Sequence, residues 1–247
     1  MEINVVTIFP EIIDDACKYS IIGRAEKRKL VTIKSYDIRD YAPNKYLSVD
    51  DYAYGGGPGM ILKPEPIFLA IEDIYGKKLK KREDIILLSP QGRLFTQKKA
   101  KELARKKKIT LICGHYKGID ERVRENLVTD EISIGDYVLT GGEVPALVVI
   151  DSVVRLLPGA MSNRESYRTD SFYKRKMFDS PYYTKPAKFR DMEVPGVLLS
   201  GNHSHIYKWR QEKALENMYE NRPDLFEKLK LSKEEKAVIE RIKKGQE

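Results

Sequence analysis

Three short segments of this 247-residue chain set glycine among polar or aromatic neighbours directly after apolar runs. They are Leu88-Ser-Pro-Gln-Gly92, Cys113-Gly-His-Tyr-Lys-Gly118 and Ile134-Gly-Asp-Tyr-Val-Leu-Thr-Gly-Gly142. Glycine lacks a Cβ, so main chain at such turns can approach a ligand or another segment closely. One turn of this kind is ordinary. Three, each where a strand is expected to end, point to a backbone-lined pocket at the carboxyl edge of a sheet. Familiar nucleotide signatures are missing. In Tyr54-Gly-Gly-Gly-Pro-Gly-Met60, Met60 stands where G-x-G-x-x-G needs its third glycine, and neither a P-loop Gly-Lys-Ser/Thr nor a G-x-S-x-G elbow occurs. Cys17 and Cys113 stand far apart, and His203-Ser-His205 is an isolated pair, so neither a disulfide framework nor a metal site is expected.

The elements that must position these turns follow from periodicity. Buried strands are expected over 3–9, 31–36, 84–88, 109–113 and 131–134, and helices over 11–29, 64–75, 96–108, 121–127 and 144–157. Strands alternating with helices imply an α/β domain with a mainly parallel sheet. After Pro158-Gly159 the pattern changes. Residues 161–170 are polar and aperiodic, a mobile loop between domains. Beyond a Tyr- and Pro-rich stretch at 173–195, helices are expected over 205–219 and 233–244, the second opened by a Ser232/Glu235 capping box. The expected organisation is a domain over 1–160, the loop 161–170, and a small, mostly helical C-terminal domain over 171–247.

Lys and Arg number 45 against 37 Asp and Glu, a net charge of +8 and a pI near 9.2. That balance favours a polyanionic partner without identifying one. The basic cluster Lys98, Lys99, Lys101 and 105–108 reads as a solvated helix face rather than an RNA groove. The start, Met1-Glu-Ile-Asn4, has no basic region followed by an apolar core, and segment 144–157, interrupted by Asp151 and Arg155, is shorter than the ~20 residues of a membrane span. A soluble, cytoplasmic protein without membrane contact is expected. Helix 144–157 is apolar on nearly every face. A helix of that kind needs burial on all sides, which one sheet does not supply, so a second subunit is expected to cover part of it.

Seven blocks occur in order: Tyr54-Gly-Gly-Gly-Pro-Gly-Met60, Leu88-Ser-Pro-Gln-Gly92, Gly114 to Val123, Ser133 to Glu143, Arg155-Leu-Leu-Pro-Gly159, Asp170-Ser-Phe172 and Leu198 to His203. Together they closely resemble the bacterial tRNA (guanine-N1)-methyltransferases of the SPOUT superfamily, nearly end to end. The resemblance implies an α/β fold with a trefoil knot, a mainly parallel sheet and flanking helices, a C-terminal domain that binds tRNA, and a homodimer whose active site is shared between subunits. It implies S-adenosylmethionine as methyl donor, held by Leu88, Ser89, Pro90, Gly114, Tyr116, Ile134, Gly135, Tyr137, Leu139, Gly141, Gly142 and Pro145. The implied substrate is N1 of guanine 37, immediately 3′ of the tRNA anticodon.

By the same resemblance Asp170 is the general base that takes the guanine N1 proton, and Arg155 stabilises charge developing towards O6. From the residues alone, each has a plainer reading: Asp170 as the N-cap before Ser171-Phe172, and Arg155 as the i+4 partner of Asp151. The family block usually reads Gly-Arg-Tyr-Glu-Gly. Here His115 replaces the arginine and Lys117 the glutamate. That glutamate is associated with the target guanine or Mg2+, so a Mg2+ role is in doubt for this chain. Two rival readings are a catalytically silent RNA-binding protein of the same fold and a SPOUT methyltransferase acting on another RNA. Asp170 and Arg155 argue against the first, and Asp170 with the helical tail against the second.

Overall fold

The structure, a computed structural model, describes residues 1–77, 83–161, 167–175 and 177–244. The chain divides into two compact units, Met1–Arg164 and Glu165–Glu247.

In the first unit, strands β1 (Glu2–Thr7), β2 (Thr32–Asp37), β5 (Ile85–Leu94), β6 (Lys108–Cys113) and β7 (Asp130–Ser133) form one sheet in the order β2-β1-β6-β5-β7. Every pair in it is parallel, as the alternating pattern predicts. Parallel sheets are covered on both faces, and alternate side chains divide between two cores. Ile3, Val5, Ile86, Leu88 and Leu111 pack with helices α1 (Pro10–Cys17), α2 (Ser20–Lys27), α4 (Gln97–Leu103) and α6 (Glu143–Val154). Val6, Ile8, Leu87 and Ile112 pack with α3 (Pro64–Tyr75) and α5 (Glu121–Asn126).

Two expectations need correction, and one element is added. The helix expected over 11–29 is two helices, α1 and α2. Ser20 has φ +55°, and a Cβ on Gly23 would lie 2.1 Å from the Lys18 carbonyl oxygen, so this glycine permits the sharp corner between them. The helix capped by Thr96, whose Oγ1 accepts from Lys99 N, ends at Leu103 rather than at 108. Lys108 instead opens β6, its ammonium donating to the Ile74 carbonyl and pairing with Glu2. The glycine cluster at 54–60 joins an antiparallel hairpin, β3 (Asp50–Tyr52) and β4 (Met60–Leu62), that the sequence did not signal.

The second unit holds a small hairpin, β8 (Lys188–Phe189) and β9 (Met192–Glu193), then helices α7 (Gly196–Leu199), α8 (His203–Asn221), α9 (Pro223–Phe226) and α10 (Lys233–Lys244). Ala214, Leu215 and Met218 of α8 and Ile239 of α10 are its buried apolar residues. The capping box forms: Ser232 N donates to Glu235 at 2.8 Å, and Glu235 N to Ser232 Oγ at 3.2 Å. Of the polar stretch 161–170, residues 162–166 lie outside the described residues.

Candidate active site

Strand β5 is interrupted where its chemistry lies. Its pairing with β7 reaches Leu88 opposite Ile132, then resumes with Arg93 opposite the same Ile132. Ser89-Pro-Gln-Gly92 is therefore extruded from the ladder as a bulge, a device that re-aims residues near a site. Gly92 permits it, since a Cβ there would lie 2.4 Å from Ile132 N. The turn after β7 folds back against the end of β6. Gly142 N donates to the Gly114 carbonyl at 2.8 Å, and His115 bridges Gly141. A Cβ on Gly142 would lie 2.6 Å from Cys113 Cα, so only glycine allows this approach.

These three segments surround a cavity of about 310 Å³ at the carboxyl ends of the neighbouring strands β6, β5 and β7. All twelve residues expected to hold the methyl donor line it: Leu88, Ser89, Pro90, Gly114, Tyr116, Ile134, Gly135, Tyr137, Leu139, Gly141, Gly142 and Pro145. The two expected catalytic residues are not among its lining residues. Arg155, at the C-cap of α6, is half-buried and is not a lining residue. Asp170 belongs to the second unit, half-buried in a turn where its carbonyl accepts from Tyr173 N at 3.1 Å.

Charge on the cavity wall is mostly compensated. Arg124 donates to Glu121 at 2.9 Å and to Glu131 at 3.2 Å. Lys117 also lines the wall and has no carboxylate partner among the described residues. Its N–H donates to the Met60 carbonyl, which ties this turn to the β3–β4 hairpin. The preceding Tyr116 has φ +57°, an uncommon conformation for a bulky residue, and is half-exposed. Partial burial and the adjacent Asp50 carboxylate push its phenol above the ordinary tyrosine value.

Behind the wall lies a carboxylate that the sequence reading passed over. Glu143, first residue of α6, is buried and accepts from Thr7 Oγ1 at 2.6 Å. A Cβ on Gly141 would lie 2.2 Å from Glu143 Oε2 and 2.6 Å from His115 Nδ1, so those two atoms flank the space this glycine leaves. His115 stands edge-on to Phe9 and Tyr116, its Nδ1 buried without a hydrogen-bond partner among the described residues. Burial raises the Cys113 thiol well above its ordinary value, with the Glu143 charge adding to the effect. The available signal for Glu143 was its place at a helix start after two glycines, where a carboxylate meets the positive end of the helix dipole.

The family model described as tRNA (Guanine-1)-methyltransferase TrmD matches residues 1–228. The chain is also 50% identical over 245 residues to proteins named tRNA (guanine-N(1)-)-methyltransferase from Bacillus cereus (strain AH820), Bacillus anthracis (strain A0248) and Bacillus thuringiensis subsp. konkukian (strain 97-27). Each match covers 99% of this chain and 100% of the relative.

Proposed function

This chain belongs to the tRNA (guanine-1)-methyltransferase family, and from that membership we propose that it transfers a methyl group from S-adenosylmethionine to N1 of guanine 37 in tRNA. The observation that carries the reading is the convergence of all twelve anticipated residues on one cavity at the strand ends.

The cavity suits the methyl donor. At about 310 Å³ it is open to a nucleoside-sized ligand. Leu88, Ile134, Leu139 and Pro145 offer apolar surface, while the three turns offer main-chain donors and acceptors. When bound, S-adenosylmethionine supplies an already activated methyl group. The chain has to supply a deprotonated guanine N1, and Asp170 takes that proton. As it leaves, charge spreads towards O6, where the Arg155 guanidinium stabilises it. The guanine must leave its stack to be methylated. A resident Mg2+ does not fit the wall of this cavity. Its carboxylates Glu121 and Glu131 are both engaged by Arg124, its remaining cation is Lys117, and no group of three metal-ligating side chains occurs among the described residues.

The working unit is a homodimer with its site shared between subunits, and the trefoil knot of the family carries over. Val144 and Val148 of α6 remain 54% and 39% exposed, an apolar face suited to a second copy. The helical C-terminal domain, 171–247, holds the tRNA, and 161–170 links it to the cofactor domain of 1–160. No helix among the described residues is long and apolar enough to cross a membrane, and the cytoplasm, where tRNA is modified, is the expected compartment.

The test is transfer of labelled methyl from S-adenosylmethionine to tRNA transcripts carrying guanine or adenine at position 37. Label is expected with guanine only. Equal labelling of both, or none, refutes the reading.

A further inference from the structure

The second unit carries a groove that no step above uses. It measures about 370 Å³ and lies between the extended segment 181–187 and helices α7 and α8. Val194, Leu198 and Ile206 give it an apolar floor. Its rim is aromatic and cationic. Tyr182 and Tyr183 remain 63% and 51% exposed. The Arg210 guanidinium sits 5.5 Å above the Tyr182 ring, and the Tyr182 hydroxyl is fixed by donating to Asp179 at 2.7 Å. Tyr183 leans against Trp209, with ring centroids 6.3 Å apart.

Several basic side chains of this unit meet carboxylates: Arg175 with Glu235, Lys188 with Glu193, Lys213 with Glu216, Arg222 with Asp224 and Arg241 with Glu212. Lys185 and Arg210, both lining the groove, have no carboxylate partner among the described residues. An apolar floor with exposed aromatic faces and two uncompensated cations combines the two elements that hold single-stranded nucleic acid. Base rings stack on aromatic side chains, and phosphates pair with Lys and Arg. A second protein chain would not need paired free cations at the rim of so narrow a floor.

We propose that this groove receives an unstacked base of the substrate tRNA, other than the methylated guanine, with the base against Tyr183 and its flanking phosphate on Lys185 and Arg210. The proposal rests on tRNA being the substrate. It assigns the groove to RNA capture and not to chemistry, so losing it weakens tRNA binding and spares the methyl-transfer step.

The experiment measures tRNA affinity, methyl transfer at saturating tRNA, and S-adenosylmethionine affinity for the wild type and for Tyr183→Ala, Tyr183→Phe and Lys185→Met. Stacking on one aromatic ring sets the scale, and Tyr183→Ala is expected to weaken tRNA binding about tenfold. Tyr183→Phe keeps the ring and is expected to bind as the wild type does. Lys185→Met is expected to lower the slope of log affinity against log salt by about 0.7–0.9, one phosphate contact. The transfer rate at saturation and the cofactor affinity are expected to stay unchanged in all three. If wild-type protein binds and methylates tRNA while Tyr183→Ala binds as tightly, the groove is not an RNA site. The same holds if Tyr183→Phe is as weak as Tyr183→Ala, or if the variants change the oligomeric state instead. Failure of the wild type to bind tRNA at all would be a different result and would count against the substrate.

Discussion

Gly114 and Gly142 touch each other and line the same cavity, yet a methyl group added to each should do opposite things. A Cβ on Gly142 would lie 2.6 Å from Cys113 Cα, 2.9 Å from Cys113 Cβ and 3.0 Å from Gly114 N. Most of that is backbone, so the end of β6 and the start of α6 must part. Overpacking of this kind costs about 1–3 kcal/mol, and weakening the 2.8 Å Gly142–Gly114 hydrogen bond adds about 1 kcal/mol. At roughly 2–4 °C per kcal/mol for a chain of this size, Gly142→Ala should lower the melting temperature of the first unit by roughly 4–16 °C. A Cβ on Gly114 would meet only Ile119 Cγ2, at 3.7 Å, an ordinary contact. Gly114→Ala should therefore leave stability unchanged or raise it by up to about 1 kcal/mol through the unfolded chain. Its methyl group would stand on the cavity wall and should weaken S-adenosylmethionine binding about tenfold, or about 1.4 kcal/mol. Calorimetric melting and cofactor titration of both variants check the pair. If Gly142→Ala melts with the wild type, the close-approach argument is wrong. If Gly114→Ala binds the cofactor as the wild type does, Gly114 is not part of the pocket that matters.

Asp170→Asn should retain cofactor affinity and lose turnover by ~10²–10⁴, read by single-turnover methylation, and near wild-type turnover across pH would remove Asp170 as the base. Mixing two inactive variants, Asp170→Ala and Gly114→Val, should restore activity once subunits exchange, because one site of each mixed dimer would be intact; no recovery despite demonstrated exchange would place the base and the cofactor on one chain. Burial raises the Cys17 thiol from 9.0 to about 12 and the Tyr75 phenol from 10.0 to about 12. Both groups keep their proton when folded and release it earlier when unfolded, so stability should hold below about pH 9 and fall as pH rises towards 12. Chemical denaturation across that window checks this, and a level profile would contradict it.

The sheet was legible because its strands announce themselves locally. Val5-Val6 and Leu111-Ile112 set apolar side chains on both faces of their strands, as burial on both faces requires, and the glycine turns after β6, β5 and β7 located the cavity. What escaped depends on contacts between residues remote in sequence. The extrusion of Ser89-Pro-Gln-Gly92 follows from Gly92 lying against the Ile132 backbone, and nothing local distinguishes it from an ordinary turn. Glu143 reads locally as a surface acid at a helix start. Its burial is decided by Thr7, 136 residues away, which supplies the hydroxyl that compensates it. The corner between α1 and α2 escaped for a different reason: it is local, but the apolar period continues through Lys18-Tyr19 although the backbone does not.

Net charge shows most clearly how structure refines composition. An excess of +8 suggests a polyanion but not where it would bind. Part of the 45 Lys and Arg is paired with carboxylates in the structure. Lys99 pairs with Asp130, Lys106 with Asp84, Lys108 with Glu2, and Arg124 with Glu121 and Glu131. In the basic cluster from 98 to 108, Lys99, Lys106 and Lys108 are thus tied to carboxylates at the edge of the sheet it covers. The cations without carboxylate partners that matter here are Lys117 at the cofactor cavity and Lys185 with Arg210 at the aromatic groove. A lysine or arginine beside a carboxylate presents a weaker positive potential to a phosphate than one with no carboxylate near it. The density of basic residues along the chain is therefore a poor guide to where RNA is held. Uncompensated cations beside exposed aromatic rings are a better one, and Lys185 and Arg210 stand beside Tyr182 and Tyr183 at the rim of one groove.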